Sequence, residues 1–246
     1  MCVLLAAPVF LGAQALTPPP QEYVLHFQPN SVAFTDQISI GATFTMEAWI
    51  YLDAASPFSL IMGKPNLSFI GFDSAGHKPM FTQSTDQPGN GRSISGQSDL
   101  PLYSWTHLAA VHDLVVMRLY VNGQRVASGA SPWPPDGAAG PLGLGGAMLD
   151  GTSLCCSFFG ALREARVWSR PLSAAELQAN ATQKLTGNEA GLIANWPLSE
   201  GSGQVARGIG SQAATLTMKG AATWANTQFL DKGPYFEIQD LPSLID

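Results

Sequence analysis

From Tyr103 to Gly129, YSWTHLAAVHDLVVMRLYVNGQRVASG, side chains repeat with a period of two, the mark of β-strands. Trp105, His107, Ala109 and Val111 share one face of a first strand, and Thr106, Leu108, Ala110 and His112 share the other. A second strand, Val115 to Val121, sets Val115, Met117, Leu119 and Val121 against Val116, Arg118 and Tyr120. Asn122-Gly123 then supplies the two positive-φ residues of a tight primed hairpin turn, and Gln124 to Ser128 form a third strand. The rest of the chain reads as strands added around this antiparallel meander.

The same period predicts strands at Tyr23–Phe27, Phe34–Ile40, Leu60–Met62, Leu67–Phe72, Met80–Gln83, Arg92–Ile94, Gly191–Leu198, Ala214–Met218 and Thr223-Trp224. In Phe44–Leu52 the two faces are Phe44, Met46, Ala48, Ile50, Leu52 and Thr45, Glu47, Trp49, Tyr51. Both are largely apolar, as in a central strand covered on each side. In Phe158–Trp168, Phe159, Ala161, Ala165 and Val167 interleave with Gly160, Leu162 and Trp168. Pro171 then interrupts, and Ser173-Ala174-Ala175-Glu176 forms a capping box that opens a helix to about Ala181. The predicted fold is all-β, an antiparallel β-sandwich with one short helix near residues 173–181. Gly 25 and Pro 18 among 246 residues, with 12 % charged residues, suit a fold with many corners.

The first fifteen residues, MCVLLAAPVFLGAQA, are an apolar run ending in Ala13-Gln14-Ala15, which reads as a signal peptide cut after Ala15. The alternative is a buried N-terminal strand or helix. No Lys or Arg precedes Lys64, so either translation starts upstream or the gene is a fragment. Thr17-Pro18-Pro19-Pro20 makes residues 16–22 a stiff linker. The net charge of −6 argues against nucleic acid or an anionic membrane as partner, and no segment is apolar enough to insert in a membrane. Cys2 leaves with the signal peptide. Cys155 and Cys156 are neighbours that bond only with backbone strain, so they read as two small buried hydrophobes.

Four stretches carry a family resemblance: FTMEAWIYL (Phe44–Leu52), WTHLAAVHD…LYVNGQRVASG (Trp105–Gly129), FFGALREARVWSRPLSAAEL (Phe158–Leu177) and GLIANWPLSEGSG (Gly191–Gly203). The chain resembles the laminin-G-like jelly-roll modules of the concanavalin A-like lectin/glucanase superfamily, with pentraxins as distant relatives. The resemblance places the module at 23–182 and additional strands at 183–225. Phe229-Leu230-Asp231 to Phe236 is similar to the family's opening strand, with the spacing of Phe27 to Phe34 (236 − 229 = 34 − 27 = 7). Residues 226–246 therefore read as the truncated start of a second, tandem repeat. Alternatively, the segment from Ala190 closes a single sandwich against the N-terminal strand.

Hydrolases on this fold line up several carboxylates on one strand, so that two flank a sugar bond about 5–10 Å apart. No such run exists; Glu47 with Asp53, and Glu164 alone, are the nearest approach, and Glu47 reads as a hydrogen-bond acceptor within an apolar strand. His26, His77, His107 and His112 lack metal-triad spacing, and His107 reads as a core histidine. Calcium is the ion the resemblance implies, with Asp36, Asp73 and Asp150 as candidate ligands, although His77-Lys78 stands where pentraxins carry an acidic pair. For stacking on a sugar ring the candidate is Trp133, in its Pro-rich loop; Trp49, Trp105, Trp168 and Trp196 read as core. The expected role is a secreted, non-enzymatic recognition or adhesion module that binds a glycan or an extracellular protein, flanked by neighbouring domains. The alternatives are a structural spacer repeat and, further off, a glycan hydrolase or lyase.

Overall fold

The computed structural model describes residues 16–64, 68–83, 91–131, 140–148 and 153–230. Its strands in chain order are β1 (Tyr23–Phe27), β2 (Ser31–Thr35), β3 (Thr43–Leu52), β4 (Leu60–Lys64), β5 (Ser68–Phe72) and β6 (Pro79–Gln83). There follow β7 (Arg92–Ser95), β8 (Trp105–Asp113), β9 (Val116–Val121), β10 (Gln124–Ala130), β11 (Leu142–Leu144), β12 (Ala147–Met148) and β13 (Leu154–Cys155). The last are β14 (Gly160–Trp168), β15 (Leu192–Trp196), β16 (Val205–Arg207), β17 (Thr215–Gly220) and β18 (Thr223–Asn226). Two helices accompany them, α1 (Ala174–Ala181) and α2 (Thr227–Leu230). The second was not expected from the sequence.

Two antiparallel sheets form a sandwich. Sheet A has the order β10-β9-β8-β3-β14-β1-β18, with β15 also on β14. Sheet B has the order β16-β17-β2-β11-β4-β5-β6-β7. The meander lies at one side of sheet A, and β3 sits between β14 and β8, paired with β8 in continuous register, Thr43↔Asp113 to Tyr51↔Trp105. The core between the sheets gathers Phe27, Phe44, Met46, Ile50, Ile70, Phe72, Phe81, Leu108, Leu119, Leu162 and Trp196. Burying side chains of this size stabilises by about 1.5–3 kcal/mol each relative to exposure. β15 joins β14, β17 joins β2, and β18 pairs with β1 as Tyr23↔Asn226 to His26↔Thr223.

The outer face of sheet A is buried as well. Helix α1 buries Leu177 and Ala181, and Leu177 packs with Ala109, Val111, Tyr120, Trp168, Leu172 and Leu192. The capping box is present: Ser173 Oγ accepts from the Glu176 backbone N–H, and the Glu176 carboxylate accepts from that of Ser173. Arg170 adds an ion pair to Glu176 at 2.6 Å. The hydrogen bonds from the Ser173 backbone and Arg170 hold the Glu176 carboxyl down at about 2.

Four details depart from the sequence pattern. The expected strand at Phe34–Ile40 ends at Thr35, because β2 begins at Ser31 and leaves its sheet before Asp36. Trp105 is half-buried against Tyr51 and Arg163 on the outer face of sheet A, not in the core. β14 carries a β-bulge, since Arg163 pairs with Trp49 and Arg166 with Glu47, so Glu164 and Ala165 together oppose Ala48. The bulge reverses the alternation: Ala161 packs outward with Val24 and Tyr51, while Ala165 and Val167 face the core. Finally, Cys155 and Cys156 are joined as a disulfide, Cys155 half-buried and Cys156 exposed. Cys156 has a positive φ of +58°, and the adjacent sulfurs are joined where two inert buried thiols were expected.

Candidate ligand-binding face

Register builds the site on sheet B. Read across seven strands, one outward row runs Thr217, Phe34, Gly143, Gly63, Phe69, Thr82, Ser93. Inward neighbours on the same strands, Ala33, Met62, Ile70, Phe81 and Leu216, belong to the core, which fixes the row as outward-facing. Two half-buried phenylalanines thus stand three strand steps apart, about 14 Å at 4.8 Å per step, with glycines between them. Hydroxyls flank the rings, and Thr82 Oγ1 and Ser93 Oγ are hydrogen-bonded at 2.8 Å. Lys219 Nζ lies 5.5 Å from the centre of the Phe34 ring. The short hairpin β12–β13 stands against the row at Gly143, where a Cβ would come 2.3 Å from the Gly146 carbonyl oxygen. An aromatic–glycine–aromatic row edged by hydroxyls and a cation offers apolar faces for a ring and hydrogen bonds for its substituents.

Of the acids expected to bind calcium, Asp36 and Asp73 are not brought together. Asp36 follows β2 and Asp73 follows β5. The pairings Thr35↔Leu142 and Lys64↔Ser68 at one end, and Leu60↔Gly71 at the other, put the two at opposite ends of sheet B. Asp36 is exposed, and Asp73 Oδ1 accepts from the Ala75 and Gly76 backbone of its own turn, both at 3.1 Å. Among the described residues no three His, Cys, Asp or Glu side chains cluster as a metal site. Asp150 and Trp133 lie outside the described residues.

Glu47 belongs to a buried polar cluster under α1. Its carboxylate accepts from Trp168 Nε1 at 3.0 Å, and Arg166 Nη1 lies 3.6 Å away. His107 Nε2 is 3.2 Å from it but poorly aligned for a hydrogen bond. Burial opposes the charge of Glu47, but His107, Arg166 and Trp168 outweigh it and hold the carboxyl below its usual range. Arg166 also donates to Glu164 at 2.8 Å and to the Asn180 and Gln183 carbonyls at 2.6 and 2.7 Å. Glu47 and Arg166 are 0 % exposed, so neither can touch a sugar: the cluster ties α1 to the sheet. His107, as expected, is a buried histidine within it.

With fold and face in place, the comparisons decide the family. The Laminin_G_3 sequence model, described as concanavalin A-like lectin/glucanases superfamily, matches residues 28–178, more than half of the chain. The chain belongs to this superfamily. Among solved structures, a "putative carbohydrate binding protein" from Bacteroides ovatus ATCC 8483 is similar at 20 % identity and TM-score 0.67, over 84 % of this chain. The present chain spans only 60 % of that relative's length. The heptameric SAP-like pentraxin of Limulus polyphemus is similar at 16 % identity and TM-score 0.55, over 79 % of this chain and 98 % of that one. At such identities these likenesses establish the shared fold. Among the curated proteins, none matches the chain in sequence at a significant level.

Phe34 and Phe69 are not legible as a pair in the sequence. Each alternates visibly with core neighbours, but only strand order sets them on one row.

Proposed function

We propose that this domain is a non-enzymatic carbohydrate-binding module, exported from the cell, that serves recognition or adhesion within a longer extracellular protein. The single observation that carries the reading is the outward row of sheet B, with its two half-buried phenylalanines and hydroxyl rim. Membership of a lectin-containing superfamily supports a glycan as the ligand class, and the description of the Bacteroides ovatus protein agrees with it. The carboxylate best placed in the sequence for hydrolysis, Glu47, is sealed under α1, which supports binding without turnover.

The test is a glycan array probed with the full chain, with calcium and with a chelator, followed by titration of the best glycan. Phe34→Ala and Phe69→Ala should each weaken binding about tenfold, the scale of one lost aromatic stacking contact. Trp133→Ala is measured alongside, because its segment leads into β11. Absence of any glycan binding sinks the proposal, and release of reducing sugar from a bound glycan replaces it with an enzyme.

A further inference from the structure

A second site lies on the opposite sheet, where β1 and β15 share one edge of β14. β1 pairs with Gly160–Leu162 and β15 with Ala165–Trp168, so the two part at the bulge. Between them opens a cavity of about 330 Å³, lined among others by Gln21, Glu22, Glu164, Lys184, Asn195 and Ser199.

Its base is built from buried polar groups. Glu164 is 1 % exposed and, unlike its strand neighbours, has a positive φ of +50°. Such backbone strain is costly and concentrates at functional sites. The bulge sets Glu164 on the outer face, where it holds Arg166. Beside it Asn195 is also 1 % exposed, and its Oδ1 has no hydrogen-bond partner in the protein. Buried acceptors are normally satisfied, and this one, on a residue that lines the cavity, is left open.

The inventory of groups selects the ligand. The Gln21 amide nitrogen is engaged by the carbonyls of Tyr23, Pro197 and Leu198, at 2.7, 3.3 and 3.3 Å. What remains is rich in acceptors: Asn195 Oδ1 and the carboxylates of Glu164 and Glu22. Two carboxylates repel an anion, and Lys184 at the mouth repels a cation. A neutral ligand that brings hydroxyl donors meets every group. The volume sits at the lower end of the roughly 300–1,000 Å³ of small-molecule sites, room for one sugar ring rather than a chain. We propose that this cavity, with Asn195 and Glu164 at its base, binds a single neutral monosaccharide unit through adjacent hydroxyls. The ligand class rests on the carbohydrate reading above; the site is separate from the sheet B row.

The experiment titrates methyl glycosides of glucose, galactose, mannose and N-acetylglucosamine, with methyl glucuronide as the acidic counterpart, into the ¹⁵N-labelled full chain. A neutral glycoside should shift the Asn195 side-chain amide signal, and the glucuronide should not. Asn195→Ala should weaken that binding at least about tenfold, as for one lost hydrogen bond to a buried acceptor. It should leave the melting temperature unchanged or higher, because it removes an acceptor without a protein partner. Ser199→Trp, which narrows the mouth from an exposed position, should block the same glycoside if Asn195→Ala proves poorly folded. Binding of neutral glycosides that ignores both substitutions but is lost in Phe34→Ala overturns this site and keeps the carbohydrate module. A lower melting point with unchanged affinity makes Asn195 a structural residue and also overturns the site. If no glycoside binds any variant, both readings fall.

Discussion

Arg166→Met tests whether the buried cluster holds helix α1 to sheet A. The substitution keeps an unbranched apolar stem but removes the guanidinium, which is fully buried and spans Glu47, Glu164, Asn180 and Gln183. Two buried carboxylates lose their cation and two carbonyls lose a donor. Removing one partner of a buried ion pair costs about 3–5 kcal/mol, a large part of the roughly 5–15 kcal/mol that stabilises a domain. For a chain of this size each kcal/mol lowers the melting temperature by about 2–4 °C, so the loss should reach roughly 6–20 °C. The pH dependence supplies the sign. A carboxyl held below its unfolded value contributes stability above that value and loses it as the pH falls through the folded one. Glu47 is such a group, with an unfolded reference of 4.5. In the variant the unpaired carboxylates protonate more readily, so the difference from wild type should shrink as the pH falls from 7 towards 4. Urea unfolding followed by tryptophan fluorescence at both pH values measures it. A difference below about 1 kcal/mol at pH 7, or one equal at both, would show that Arg166 is not the clamp described.

Two further substitutions probe single positions. His112 is buried, its Nδ1 2.8 Å from the Ala42 carbonyl and its ring stacked on Phe44 at 5.3 Å. Burial depresses its pKa below 6.5 despite the Ala42 carbonyl and Asp113. Stability should therefore fall as the pH drops below 6.5, where the unfolded chain takes up the proton first, and His112→Phe should flatten that slope in melts from pH 7.5 to 5. Gly160 has φ +151°, and a Cβ there would lie 2.0 Å from the Tyr51 carbonyl oxygen. Gly160→Ala should cost more than about 1 kcal/mol in the urea midpoint with the slope unchanged, and a neutral effect would mean that β3 and β14 are not paired as described.

Much of this architecture was legible because local signals agreed. Asn122-Gly123 between two alternating runs could only be a hairpin, and the exposed Ser173–Glu176 box needed no tertiary contact to be read. The bulge at Glu164 and Ala165 was not legible. It arises where β14 changes partner from β1 to β15, a fact of topology that leaves no signature in the residues themselves. Strict period two therefore put Ala161 on the wrong face and left Glu164 as an isolated acid. The separation of Asp36 and Asp73 was equally hidden: each follows a strand, but the strands end at opposite ends of the sheet. Trp105 was read as core because its strand alternates, yet in sheet A the two faces are buried against different things.

That asymmetry between the sheets connects the buried cluster to the proposed sites. An apolar interface under α1 would hold the helix as firmly, since replacing a buried ion pair with packed hydrocarbon is often neutral or stabilising. An apolar interface tolerates sliding, however, whereas Arg166 fixes the Asn180 and Gln183 carbonyls at hydrogen-bond distance from a single point on β14. The next residues, Lys184 and Leu185, wall the cavity beside Asn195. The same guanidinium holds Glu164 at the cavity base. One buried cation thus sets the distance between the wall of the cavity and its floor, so the geometry of the pocket depends on a residue that no ligand can reach. On sheet B the outward row has no such clamp among the described residues, and its spacing follows from strand separation. A ligand on either phenylalanine meets a ring set by strand spacing, while one entering the cavity meets a fixed shape, and the two proposed sites should differ in selectivity accordingly.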